Sequence, residues 1–368
     1  MLYDQGNFAG AKKMYEDSLA LFRQSGNRKG MAKVINAIAN VLYDQGNLAA
    51  ARKMYEQALP LQREIASKSG LAGVLGNLGN VLDGQGDLAG SKKMHEEALK
   101  YFTEVGDKRG MASTMGNLGI LLNEMGALEE SKKMYEQALN INRETGHKRG
   151  MGYELAGLSE TLSAQGDLVT ARKKGEEALA IRTEAGEQWT TAASHASLAA
   201  LSLDEGRPAA AEALARQAAD EFGKLKADEN VAETYSVLAR SLLEQGKISE
   251  AQEVIQKAQK LSARSGVIAL HFEVDIAEAL CRAAAANHSR AGETTAAKQD
   301  LEAVLSKATR HGYLGYEFQS RLALGEVEMK SGKTADGRAR LQTLERDAKA
   351  KGFLLIARKA AAMTLGGH

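Results

Sequence analysis

Residues 73–102 read GVLGNLGNVLDGQGDLAGSKKMHEEALKYF. Leu75, Leu78, Val81 and Leu82 fall on one stripe of a helix that runs up to Gly86, and glycine permits the left-handed conformation that closes a helix. Asp87 follows as a good N-cap for the next helix. Leu88, Ser91, Met94, His95, Ala98, Leu99 and Phe102 then recur about one turn apart, which predicts a second amphipathic helix. The stretch is a helix–turn–helix hairpin whose two apolar stripes cannot be buried by either helix alone.

The same hairpin recurs outward in both directions. Gly6, Gly46, Gly86, Gly126, Gly166, Gly206 and Gly246 stand 40 residues apart without a slip. Gly30, Gly70, Gly110 and Gly150 keep that interval in RKGMA, KSGLA, KRGMA and KRGMG. These series explain the 37 glycines in a chain otherwise rich in helix formers, with only 2 prolines. Self-similarity on this scale is the mark of a solenoid, in which stacked hairpins share one continuous core. Two looser elements follow, AGETTAAKQDLE around Gly292 and SGKTADGRARLQ around Gly332. The step from Gly246 to Gly292 is 46 residues, which predicts a longer or kinked helix near 267–288. The expected organisation is a regular array over 1–266 and divergent hairpins over 267–368, with a closing helix near 352–365.

Offsets within the unit are specific. Leu75, Leu78, Gly79, Leu82, Gly86, Ser91, His95 and Ala98 repeat as Ile35, Ile38, Ala39, Leu42, Gly46, Ala51, Tyr55 and Ala58. They repeat again as Met115, Leu118, Gly119, Leu122, Gly126, Ser131, Tyr135 and Ala138. This pattern resembles the tetratricopeptide repeat. The 40-residue length and the NLGN and GDKRGMA strings are similar to the long-repeat subclass of Leu-Gly-Asn (Pins-type) proteins. Kinesin light chain and bacterial regulators of the maltose-activator type carry related long repeats. The resemblance implies an all-α, right-handed superhelix of antiparallel hairpins, with the first helix of each hairpin (A) lining a concave surface and the second (B) a convex one.

On that expectation the inward positions include Asn36, Asn40 and Tyr43, then Asn77 and Asn80, then Asn117 and Asn123, and later Tyr153, Glu160 and Arg240. Asparagine is a poor residue for a helix interior, so a row of them on one face calls for a reason. A primary amide both donates and accepts, which suits the backbone of an extended peptide. The resemblance to the Leu-Gly-Asn repeats, whose matching asparagines contact bound peptide, carries that role onto Asn77, Asn80 and Asn117, and by position onto Asn36 and Asn40. The alternative is that the amides are solvated or bond across to the neighbouring helix and hold the repeat register. Further along, Glu160, Asp204, Glu233 and Glu244 make the groove acidic, with Arg240 the exception, which points to a partner with basic residues or to a solvated face.

Other features exclude function classes. A net charge of +1 gives the chain as a whole no pull on nucleic acid or anionic lipid. Basic pairs at Lys12–Lys13, Arg52–Lys53, Lys92–Lys93, Lys132–Lys133 and Arg172–Lys173 fall at the start of helices B. Glutamates four residues after the first member of most pairs make a solubilising outer face, not a nucleic-acid stripe. Among His95, His147, His195, His271, His288, His311 and His368 no two have metal-ligand spacing, and no cofactor motif occurs. His95 occupies the slot of Tyr55 and Tyr135 and reads as a packing residue, while Cys281 reads as a buried small hydrophobe. No apolar run approaches a membrane span and no secretory segment opens the chain, so a cytoplasmic location is expected.

The reading is a non-enzymatic scaffold for a protein or extended peptide, with no nucleic acid and no membrane insertion. The alternative is a C-terminal sensory or regulatory module of a larger protein of the kinase or transcription-regulator type. MLYDQGN at the start matches VLYDQGN at 41–47, so the first helix B lacks its helix A. That start fits an excised fragment, which we favour, but also self-association through the uncapped helix or local disorder.

Overall fold

The computed structural model describes residues 8–286 and 291–365; Gly6, His288 and His368 lie outside them. Among the described residues every regular element is an α-helix. The protein is an α-solenoid of antiparallel hairpins. The described residues fall into two compact units, one up to Leu121 with Gly266–Ile268, the other Leu122–Ser265 with the residues from Ala269 onward.

The first unit contains α1 (Phe8–Gln24), α2 (Arg28–Asp44), α3 (Leu48–Glu64), α4 (Lys68–Gly84), α5 (Leu88–Val105) and most of α6 (Lys108–Glu124). The second contains α7 (Leu128–Glu144), α8 (Lys148–Ala164), α9 (Leu168–Glu184), α10 (Gln188–Asp204), α11 (Pro208–Lys224), α12 (Asp228–Glu244) and α13 (Ile248–Ser262). It continues through α14 (Ile268–Ala285), α15 (Ala291–His311), α16 (Leu314–Lys330), α17 (Thr334–Ala350) and α18 (Leu354–Leu365). Most helices of the array are 17 residues long with two- or three-residue turns between them, and two of each account for the 40-residue period. Even-numbered helices are the helices A of the sequence reading.

The turns are built as the glycines require. Gly46 (φ 72°) and Gly86 (φ 78°) are left-handed. In the first, the Gly46 amide donates to Tyr43 O at 2.8 Å and the Asn47 amide to Leu42 O at 2.9 Å, which satisfies carbonyls the helix leaves open. Asn47 and Asp87 then cap the next helix, accepting from the Ala50 and Gly90 amides at 3.2 and 2.9 Å. The second glycine series does different work. Gly30, Gly70, Gly110 and Gly150 sit in the first turn of a helix A, where a Cβ would run into Phe22, Gln62, Phe102 and Asn142 of the preceding helix B.

The core follows the repeat offsets. Ile35, Ile38, Ala39, Leu42, Ala51, Tyr55 and Ala58 form one cluster with Val74, Leu78, Val81 and Leu82 of the next hairpin. His95 is buried as a packing residue against Gly79, and Cys281 is a buried free thiol whose pKa burial pushes up to about 12. On α1, Met14 and Leu21 are 59% and 65% exposed.

Two expectations for the divergent part need correction. Gly292 is not a turn glycine, because it lies inside α15. The long element is α15, with 21 residues, whereas α14 has 18 and exceeds the array standard by one. Residues 287–290, the end of the span predicted to be irregular, lie outside the described residues.

Candidate functional site

Successive helices A pack on one another, α2 on α4, α8 on α10, α10 on α12 and α16 on α18. Successive helices B do not do so to a comparable extent among the described residues. In each unit the helix A layer is therefore the inner side of the curve, and its solvent-facing positions line a concave surface.

In the first unit the asparagines of α2, α4 and α6 form a ladder. Asn77 Nδ2 donates to Asn40 Oδ1 at 3.2 Å, and Tyr55 Oη donates to the same oxygen at 2.6 Å. Asn117 Nδ2 donates to Asn80 Oδ1 at 3.1 Å. Each rung spans 37 residues, from one helix A to the next. The amides do hold the repeat register, as one of the two sequence readings had it. They are not consumed by it: Asn40 and Asn80 accept through oxygen and keep their NH2 groups, while Asn77 and Asn117 donate one N–H and keep their carbonyl oxygens. Donor and acceptor thus alternate along the row.

Asn40, Tyr43, Asp44, Tyr55, Asn77 and Asn80 line an open cleft of about 200 Å3. Small-molecule sites run to roughly 300–1,000 Å3, so this space suits a side chain or a length of backbone lying across it. Gly73 and Gly76 have open space where a Cβ would stand, which leaves the neighbouring surface low. Tyr43 is 37% exposed at the rim. Asn36 is half-buried one turn away on α2, with a buried Oδ1 that has no partner.

The remaining candidates belong to the second unit. Asn123 is half-buried in the last turn of α6 and takes no part in the ladder. Tyr153 on α8 is 40% exposed, with the guanidinium carbons of Arg149 and Arg182 at 5.9 and 5.2 Å from its ring centre. Glu160 accepts from Ser197 Oγ at 2.9 Å, a rung from α8 to α10 with the same 37-residue offset as the asparagine pairs. Arg240 on α12 is half-buried beside an acidic group that the sequence reading found only in part. Glu233 (α12), exposed, and Glu273 (α14), half-buried, are close enough for their charges to interact. Enclosure by the walls, followed by mutual repulsion and the field of Glu160, pushes the Glu233 carboxyl up. Glu273 is pushed up by the same enclosure, while a 2.5 Å hydrogen bond from Tyr316 Oη and the charge of Arg240 pull it back. Enclosure also raises Glu160, against the pull of Ser197 and Arg182.

Glu273 and Tyr316 were not foreseen as groove residues, because the 40-residue register that identifies inward positions fades after Gly246. Tyr55 was foreseen only as packing; its hydroxyl also fixes Asn40. Among the described residues no cluster of His, Cys, Asp and Glu could hold a metal ion, and no helix is long and apolar enough to cross a membrane.

Sequence profiles of the tetratricopeptide repeat match residues 1–64, 70–144, 192–217 and 232–264. The chain belongs to the tetratricopeptide-repeat family. No protein of curated function matches this repeat chain. Solved structures do. A Rap protein complexed with Competence and Sporulation Factor shares the fold at a TM-score of 0.58 and 15% identity, over 97% of this chain and 99% of that one. The apo form of RapI gives 0.57 and 15%, over 76% and 98%. A signal-transduction ATPase with a tetratricopeptide-repeat sensor, PH0952 from Pyrococcus horikoshii, gives 0.51 and 12%, over 92% of this chain and 53% of that one. At these identities the likeness is one of fold. As a member of this repeat family the chain is a protein-interaction scaffold.

Proposed function

We propose that the protein is a non-enzymatic scaffold that binds an extended peptide along the helix A face of its first unit. The observation that carries this reading is the alternation of unused amide donors and acceptors on Asn40, Asn77, Asn80 and Asn117, above an open cleft with room for a chain. An extended backbone presents alternating C=O and N–H groups, so such a row grips it whatever its side chains. The ladder bonds help, because amides already held by their neighbours lose little further freedom on binding. In the second unit, Tyr153, Glu160 and Arg240 lie on a face that favours a cationic side chain. A positive group there would offset the enclosure that raises Glu233 and Glu273, and the lesser repulsion from neighbouring carboxylates. The Rap protein solved with Competence and Sporulation Factor lends the binding reading support at the level of fold.

The test is selection of peptides on the intact protein, followed by calorimetry on the Asn77→Ala, Asn80→Ala, Asn117→Ala variant. Each lost hydrogen bond costs about 0.5–1.5 kcal/mol, so three together weaken binding on the order of 10- to 1,000-fold. Asn36→Ala, outside the ladder, separates loss of ligand contact from loss of register. Native affinity in a triple variant that remains folded would eliminate the site.

A second reading, a sensory module of a larger regulator, is favoured by the fold shared with the sensor-bearing ATPase, of which this chain spans about half. It fails if the complete reading frame encodes no further domain.

A further inference from the structure

Hairpins of a solenoid ordinarily touch only their neighbours in sequence. The second unit departs from that at its end, where α18 packs against α8. Arg358 Nη2 donates to the carbonyl oxygen of Gly166, 192 residues earlier. Lys359 Nζ stands 2.7 Å from Asp204 Oδ1, 155 residues earlier, and Ser163 Oγ holds the other oxygen of that carboxylate at 3.0 Å. Behind these polar contacts, Phe353, Ile356, Ala357 and Ala360 share an apolar cluster with Leu128 of α7, and Ala164 of α8 packs on it.

The contact is in register with the repeat. Gly126 and Gly166 are turn glycines one period apart, with φ of 77° and 79°. Leu314 and Leu354 open α16 and α18 and are also one period apart. Leu314 lies against Gly126, where a Cβ would stand 2.5 Å from its Cδ2, and Arg358, on the first turns of α18, lies over Gly166. At Gly206 and Gly246, the same position in later repeats, nothing comes within 4 Å. The chemistry suits a fastening. The Gly166 carbonyl belongs to the turn just past α8, beside the negative pole of that helix, and a guanidinium offers donors to it. A side chain at 166 would occupy the space of the Arg358 head group.

We propose that α18 is a clasp that closes the stretch from α8 to α18 into a ring and thereby sets the width of the acidic groove between them. Glu160 lies on α8 itself, and Glu233, Glu273 and Tyr316 lie on helices between α8 and α18. The fastening is a light one. Lys359 and Asp204 are 26% and 24% exposed, so the ion pair is open to competition from salt and from other cations.

The clasp is tested on the full chain in a Cys281→Ala background, with spin labels at Val169 of α9 and Gln342 of α17. Both positions are exposed and neither lies on α18. Double electron–electron resonance is expected to give a narrow distance distribution in the parent. The distribution should lengthen and broaden in Arg358→Ala, Lys359→Asp. Lys359→Asp alone should also open the ring, and adding Asp204→Lys should restore the narrow distribution by reversing the pair. An unchanged distribution in the double variant overturns the clasp, and so does a reversed pair that stays as open as Lys359→Asp alone. Helix content by circular dichroism is the control for folding. If the double variant loses helix, Lys359→Gln takes its place, with the same two readings.

Discussion

The turns from helix B back to helix A show how far a single residue can depart from its repeat. Gly26, Gly106, Gly146 and Gly186 are left-handed at these turns, and the same register places Ala66 (φ 51°) and Lys226 (φ 56°) in that conformation. A side chain there costs roughly 1–2 kcal/mol, part of which is returned by a less flexible unfolded chain. Both residues are exposed and no packing demands them. Ala66→Gly and Lys226→Gly are each expected to stabilise the fold by about 0.5–1 kcal/mol. Urea unfolding measures this directly; a midpoint that stays put or falls would show that the left-handed turn carries no strain. The period marks both positions as slots of the series Gly26, Gly106, Gly146 and Gly186, but a slot without glycine carries no local sign of the left-handed turn.

At the scale of the element, the pairing of helix A with helix B depends on a large residue set into a small one. Tyr55 fills this slot between α2 and α3, and its hydroxyl reaches Asn40. His95 fills it between α4 and α5, against Gly79, with Nδ1 buried and without a partner. Burial lowers the His95 pKa from 6.5 to about 4. The unfolded chain therefore takes up a proton between these values and the folded one does not, so this stabilisation is complete above pH 6.5 and is lost as the pH falls towards 4. The full loss is about 3 kcal/mol. His95→Tyr should flatten that part of the stability–pH curve, and by register its hydroxyl should reach Asn80 as Tyr55 reaches Asn40. Melting temperatures at pH 7.5 and 5 in the two proteins decide the matter: an equal drop in both rules out His95 as the cause. The outer faces of the helices carry less energy. Arg52–Glu56, Lys92–Glu96 and Arg172–Glu176 are three of the four expected pairs, with Glu136 the fourth glutamate, and stand at 2.9, 4.0 and 3.5 Å; Lys12–Glu16 adds a further one at 3.9 Å. Each contributes a few tenths of a kcal/mol at most.

For the whole molecule, stability is a sum over hairpins and the interfaces between neighbours, and the described residues gather into two compact units. Unfolding should consequently be incomplete in its cooperativity. Calorimetry is expected to show a measured enthalpy larger than the van't Hoff value, or more than one transition. A single transition with equal enthalpies would mean that the units melt as one.

What the sequence by itself determined was everything that repeats. Hairpins, turn glycines, caps, the Tyr or His packing slot and the inward asparagines all follow from local propensity and from contacts between adjacent repeats, and such contacts leave a period in the chain. Only the tertiary structure decided what does not repeat. Neighbouring helices had to be placed before the asparagines were seen to bond one another across 37 residues while keeping half their hydrogen-bonding groups. Glu273 and Tyr316 enter the groove from helices beyond the regular register, so their pairing with each other and with Glu233 has no sequence signature. Arg358 and Lys359 read as two charges on a closing helix until the curve of the second unit brings them to Gly166 and Asp204. Curvature accumulates over many hairpins through small rotations at each interface, and no single repeat records the sum.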